Sequence, residues 1–197
     1  MRKPRPFLRN KLLLNTLYAN KLGLIKVNLV FGLSLFSILN THSICAAESA
    51  PIAIIVAHDF FKNDLSITDL KLIYWRKKTY WANGQRMHPV NLPPTHPLRL
   101  QFSNIALGSP PSAQIDYWNG LYFHGTSPPH VVNSSEAMMR YVQETNGAIG
   151  YVNACQLEKQ LAAGNNQHLD KPLAIKPIAW LSPLGELNQN APELNCQ

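Results

Sequence analysis

Acidic residues are missing from the first 47 positions of this 197-residue chain, and that absence decides how its charge is read. The same stretch carries Arg2, Lys3, Arg5, Arg9, Lys11, Lys21 and Lys26. Taking those 7 from 18 Lys and Arg leaves 11 basic groups against 11 Asp and Glu, so the rest is formally neutral. The net charge of +7 therefore belongs to the N-terminal segment, and a nucleic-acid partner is not indicated. Long apolar runs are also missing. The best, Val27 to Leu39, covers 13 residues, short of the roughly 20 that span a bilayer. Catalytic signatures are absent too: no G-x-S-x-G elbow, no Walker loop, no dinucleotide fingerprint and no paired carboxylates for acid–base work. After position 47 the histidines are His58, His88, His96, His124, His130 and His168, and none stands at metal-ligand spacing with a carboxylate. The sequence calls for no enzyme activity, no metal and no cofactor.

What is present begins with an export signal. A basic stretch precedes the apolar run, and small residues follow at Cys45-Ala46-Ala47, which places cleavage after Ala47 and a periplasmic mature chain from Glu48. His42-Ser43-Ile44 make a poor lipobox for Cys45. The signal removes one of three cysteines. Cys155 and Cys196 remain, and in an oxidising compartment they suggest one disulfide, against the alternative of two free thiols.

Strand and helix signals then alternate. Ile52 to Val56 reads as a buried strand, and Ser66 with Asp69 as the start of a helix that ends near Arg76-Lys77-Lys78. Asn83-Gly84 makes a tight turn before a strand from Met87 to Leu92. Thr95 or His96 caps the next helix with Pro97 in its first turn and Leu98, Phe102 and Ile105 buried. A third helix opens at Ser109-Pro110-Pro111 and turns Ile115, Trp118 and Leu121 or Tyr122 inward. Val131-Val132 is a brief strand, and Asn133 with Glu136 caps a helix whose inner face is Met138, Tyr141 and Val142. Gly147 ends it, Ile149 to Val152 is another strand, and Leu173 to Ile178 a last one. The alternation predicts an α/β domain over 48–180, a mainly parallel sheet flanked by helices, with a loose tail over 181–197.

The order of these signals resembles a known family. Leu65-Ser-Ile-Thr-Asp-Leu-Lys-Leu-Ile-Tyr74, then Lys77-Lys78, then Trp81-Ala-Asn-Gly84, is similar to the start of the second lobe in phosphate-type periplasmic substrate-binding proteins of ABC transporters. Asn146-Gly-Ala-Ile-Gly-Tyr-Val152 is similar to that family's P-G-x-I-G-Y-V element. Tyr117-Trp118-Asn119, Tyr122-Phe123-His124-Gly125 and Pro128-Pro129-His130-Val131-Val132 resemble a subgroup of short, exported, single-lobe relatives. The resemblance implies one lobe of a type II periplasmic-binding-protein-like fold and a non-catalytic binding protein.

It also implies a small oxyanion such as phosphate as ligand and a membrane transporter or sensor protein as partner. The departures are local. Where the family has a Ser/Gly/Thr-rich loop, this chain has Leu92-Pro93-Pro94-Thr95-His96-Pro97-Leu98-Arg99, and the prolines remove amide donors. The anion-binding candidates are therefore Thr95, His96 and Arg99 at one helix start, with Asn133, Ser134 and Ser135 at another. The alternative reading is a single-lobe accessory or sensory domain that binds a protein, takes no small ligand and exposes an apolar or aromatic patch near the former cleft.

Overall fold

A computed structural model describes residues 50–60, 64–164 and 173–196. Residues 1–47, where the export signal is expected and which include Cys45, and His168 lie outside the described residues. The first strand, β1 (Ile52–Ala57), is apolar at every position and buried from Ile52 through Val56. Such a run without alternation fits a strand covered on both faces. Six strands form one sheet in the order β3-β2-β4-β1-β5-β6. β2 (His88–Asn91) lies parallel to β3 (His130–Val131) and to β4 (Ala148–Asn153). β1 enters between β4 and β5 (Ile175–Leu181), antiparallel to both, so β2, β3, β4 and β5 share one direction. The α/β class with helices on a sheet is as expected, and the reversed central strand is the departure within it. Where β5 meets Ile54 and Ile55 the register shifts beside Pro177, which has no N–H for the ladder.

Alternation along β4 sets the two layers, because neighbouring side chains point to opposite faces. Gly150 faces α4 (Ser135–Glu144): a Cβ there would stand 2.9 Å from Met138 Cγ and from Val142 Cγ2, so glycine permits the close approach. Tyr151 faces the other way and stacks on Phe102 at 3.9 Å between ring centroids. Phe102 ends α2 (Pro97–Phe102), and Tyr74 of α1 (Ile67–Tyr74) packs edge-on against it. Tyr74 is buried, and its hydroxyl donates to the Val90 and Ile149 carbonyls across β2 and β4.

α1 starts at a reciprocal cap. Asp69 N–H donates to Ser66 Oγ at 3.0 Å, and Ser66 N–H donates to Asp69 Oδ2 at 3.3 Å. The helix stops at Tyr74, earlier than the Arg76-Lys77-Lys78 end the sequence suggests, because Arg76 turns left-handed with φ 59°. α2 runs on into a π-helical segment, Ser103–Leu107, and a 3-10 turn, Pro111–Gln114, leads into α3 (Ile115–Tyr122). α5 (Ala154–Gly164) follows β4 directly.

Two expectations need correction. The third helix turns inward only in part: Trp118 and Leu121 are half-buried, but α3 has no fully buried residue, and Ile115 and Tyr122 stay 56% and 67% exposed, covered by none of the described residues. Nor is the tail loose throughout. Ser182 and Gly185 close a hairpin that pairs β6 (Leu187–Asn188) with β5, and Cys196 is bonded to Cys155 of α5. Among the described residues no helix is long and apolar enough to cross a membrane.

Candidate functional site

Because β2, β3 and β4 are parallel, their C-terminal ends emerge at one edge of the sheet, where chains leaving a strand turn into helices. That edge is where open α/β sheets place ligands. Three helix starts meet there. His96 caps α2, its Nδ1 accepting from Leu98 N–H at 3.1 Å, and Pro97 supplies the preset first-turn φ. Ser134 caps α4, its Oγ accepting from Ala137 N–H at 3.1 Å. Asn153 ends β4, and its Oδ1 accepts from Gln156 N–H at 3.2 Å at the start of α5.

A pocket of about 390 Å³ lies among these starts, lined by His96, Pro97, Leu98, Gln101, Ser134, Ser135, Glu136, Asn153 and Gln156. No Lys or Arg stands in that lining. Its donors are neutral: two serine hydroxyls, three carboxamides and an imidazole. With Nδ1 of His96 accepting, the ring presents Nε2–H. Glu136 is the acidic member. Its own backbone N–H, and then the Ser134 hydroxyl, hold its carboxyl below the usual range, so it stays ionised. Gln156 Nε2 donates to Glu136 Oε1 at 2.7 Å, which ties the starts of α4 and α5 together.

Of the sequence-derived candidates, the structure brings together His96, Ser134 and Ser135. Thr95 and Asn133 are exposed just outside the lining, and Ser134 rather than Asn133 is the cap of α4. Arg99 corrects the sequence reading. It is 6% exposed and points beneath α2, away from the pocket. One guanidinium nitrogen donates to Asn91 Oδ1 and another to Gln114 Oε1 at 3.2 Å. Tyr151 OH also donates to Asn91 Oδ1, at 3.3 Å, and Trp118 Nε1 reaches Gln114 Oε1 at 3.5 Å. Burial pushes the Tyr151 phenol up, so it remains the neutral donor this network needs.

Sequence reasoning missed Gln101, Asn153 and Gln156, and it read Glu136 only as a cap. Asn153 and Gln156 had a signal: Asn followed three residues later by Gln is a helix-start pattern. Among the described residues no other histidine joins His96. His130 stacks on Tyr141, and His88 stands at the opposite end of β2, where burial and then Arg86 lower its pKa. Among the described residues no group of three or more His, Cys, Asp or Glu could hold a metal ion.

No family model and no curated protein matches the chain. Solved structures do. One, described as a phosphate ABC transporter substrate-binding protein with bound phosphate from Clostridium perfringens, is 23% identical with a TM-score of 0.45, over 55% of this chain and 42% of that one. An ABC-type phosphate transport receptor from Vibrio cholerae is 19% identical with a TM-score of 0.45, over 66% and 46%. PstS from Borrelia burgdorferi is 8% identical with a TM-score of 0.44, over 65% and 55%. The chain thus spans about half the length of the structures it matches.

Proposed function

We propose that this chain is an exported, non-catalytic binding module that holds a small protonated oxyanion, hydrogen phosphate foremost, in the pocket between the starts of α2, α4 and α5. The observation that carries the reading is the meeting of three helix starts on one polar pocket. Each start turns the positive end of a helix dipole toward it, though the caps take the Leu98, Ala137 and Gln156 N–H groups and Pro97 has none. With no cation in the lining, affinity comes from these dipoles, from the Ser135 hydroxyl and from the Gln156 amide hydrogen that Glu136 does not take. Ionised Glu136 can only accept a hydrogen bond, so a ligand facing it must donate one. Hydrogen phosphate has that proton at neutral pH and sulfate does not.

Export rests on the sequence of residues 1–47, with release near Ala47 into the periplasm. A transporter or sensor protein in the membrane is the partner proposed to take up the loaded module. The uncovered face of α3 favours a second reading, contact with a protein, which leaves the pocket free.

Calorimetric titration of the full chain with phosphate and sulfate at pH 7 tests the pocket. The expected result is phosphate binding at least tenfold tighter than sulfate, with Glu136→Gln closing that gap by admitting sulfate. Absence of heat with either anion overturns the oxyanion reading.

A further inference from the structure

The pocket among the helix starts is lined by no cation, and a second pocket is lined by two. It measures about 400 Å³ and lies against α1. Thr68, Lys71, Leu72 and Trp75 line it at the spacing of one helix face. Leu107 and Gly108, at the end of the π-helical segment, face them, and Tyr117 comes from α3. Gly108 is left-handed, with φ 66°, and a Cβ built on it would stand 3.9 Å from Lys71 Nζ. The Lys71 ammonium therefore stands over a wall with no side chain of its own. Lys77 reaches the pocket from the turn after α1, which its N–H fixes by donating to the Leu72 carbonyl at 2.8 Å.

The charge of this pocket is one-sided. No Asp or Glu is in the lining, and among the described residues the ion pair beside it, Lys78–Asp69, includes neither Lys71 nor Lys77. One cation in the last turn of a helix offsets the carbonyls exposed there. Two cations set beside Leu72, Leu107 and two rings go beyond that need. The ring surface is held in place: Trp75 and Tyr117 meet edge-on at 4.5 Å, and the Tyr117 hydroxyl donates to the Trp75 carbonyl at 2.7 Å.

We infer that this pocket binds a small aromatic carboxylate, its ring against Trp75, Tyr117 and the leucines and its carboxylate paired with the two ammoniums. Charge and surface select that class together. An inorganic anion would pair with the lysines and leave the apolar walls wet. A neutral arene would cover the walls and leave both charges unanswered. The Thr68 and Ser109 hydroxyls in the lining are further donors to a carboxylate. The volume falls within the roughly 300–1,000 Å³ of small-molecule sites.

The inference is independent of the oxyanion reading, because the two pockets share no lining residue. A ligand-observed NMR titration of the full chain at pH 7 compares indoleacetate with its uncharged amide, indoleacetamide. Saturable binding of indoleacetate with a Kd below about 1 mM is expected, the amide binding at least tenfold more weakly. Lys71→Gln with Lys77→Gln, both at exposed positions, should weaken indoleacetate at least tenfold and leave the urea midpoint unchanged. Excess phosphate should not displace it. Absence of saturable binding, equal affinity for the amide, or displacement by phosphate overturns the inference. So does a folded double variant that binds indoleacetate as the unaltered chain does.

Discussion

Arg99 shows how one side chain can reverse a functional reading. A basic residue in the first turn of a helix facing a pocket invites an anion-binding role, yet here the guanidinium is withdrawn and holds Asn91 and Gln114 together. Its work is structural. It links the end of β2 to the turn before α3, and through Gln114 to Trp118, which stacks on Trp75. Arg99→Ala removes charge-assisted donors from two buried acceptors, each such bond being worth about 1.5–3 kcal/mol. A loss of about 3 kcal/mol in urea unfolding is the expected outcome, with phosphate affinity of the folded protein unchanged in calorimetry. A variant of wild-type stability that no longer binds phosphate would put the guanidinium in the pocket after all. A helix start in the sequence cannot say which way a long side chain turns. Arg99 does stand three residues before fully buried Phe102, on the same helix face, and that spacing was the available hint.

Among the elements, those with chemical punctuation were the legible ones. α1 was announced by Ser66 and Asp69, α2 by His96-Pro97, and β1 and β4 by unbroken apolar runs. The cap of α1 also makes a pH-dependent contribution. Asp69 is held below its usual pKa of 3.8 by the Lys78 ammonium first and by Ser66 next. A carboxyl with a depressed folded pKa adds stability above its unfolded pKa and loses it as pH falls through the folded value. Asp69→Asn should therefore cost about 0.5–1 kcal/mol at neutral pH, modest because the Lys78 pair is partly exposed. The penalty should shrink as pH drops below about 4, read from urea midpoints across that range. Equal penalties at pH 7 and pH 3 would mean the carboxylate is not what holds the cap. Elements without punctuation were read less well. α5 leaves β4 with no intervening breaker, Asn153 serving both as the last strand residue and as the cap. α3 was recognised as amphipathic, but of its expected inner face only Trp118 and Leu121 are half-buried while Ile115 and Tyr122 are exposed, because periodicity reports that a face is apolar and not what lies against it. The pocket joins positions 96, 134 and 156, which local pattern cannot bring together.

At the scale of the molecule, the disulfide and the sheet order govern behaviour. Cys155–Cys196 spans a sequence separation of 41 and fastens a tail whose Leu194 is packed against the core. A closed loop of that length adds up to roughly 4 kcal/mol in the chain-entropy model. Reduction, or Cys196→Ala, is expected to lower the urea-derived stability by about 2–4 kcal/mol and to open residues 189–196 to proteolysis. An unchanged midpoint with and without dithiothreitol would show the bond to be inconsequential. The sheet order has a different consequence, one that concerns manufacture. β1 is the earliest described strand and one of the two central ones, yet its partners β4 and β5 come late in the chain. On a ribosome adding about 5–20 residues per second, Ile52-Ala-Ile-Ile-Val-Ala57 waits roughly 5–20 s for residues 148–153, and longer for 175–181. Throughout that wait it is an uncharged, β-branched hexapeptide with neither proline nor glycine, the composition that zips into cross-β stacks. A chain so ordered cannot complete its core until residues 175–181 have been made, an order that would suit the export proposed from the sequence of residues 1–47.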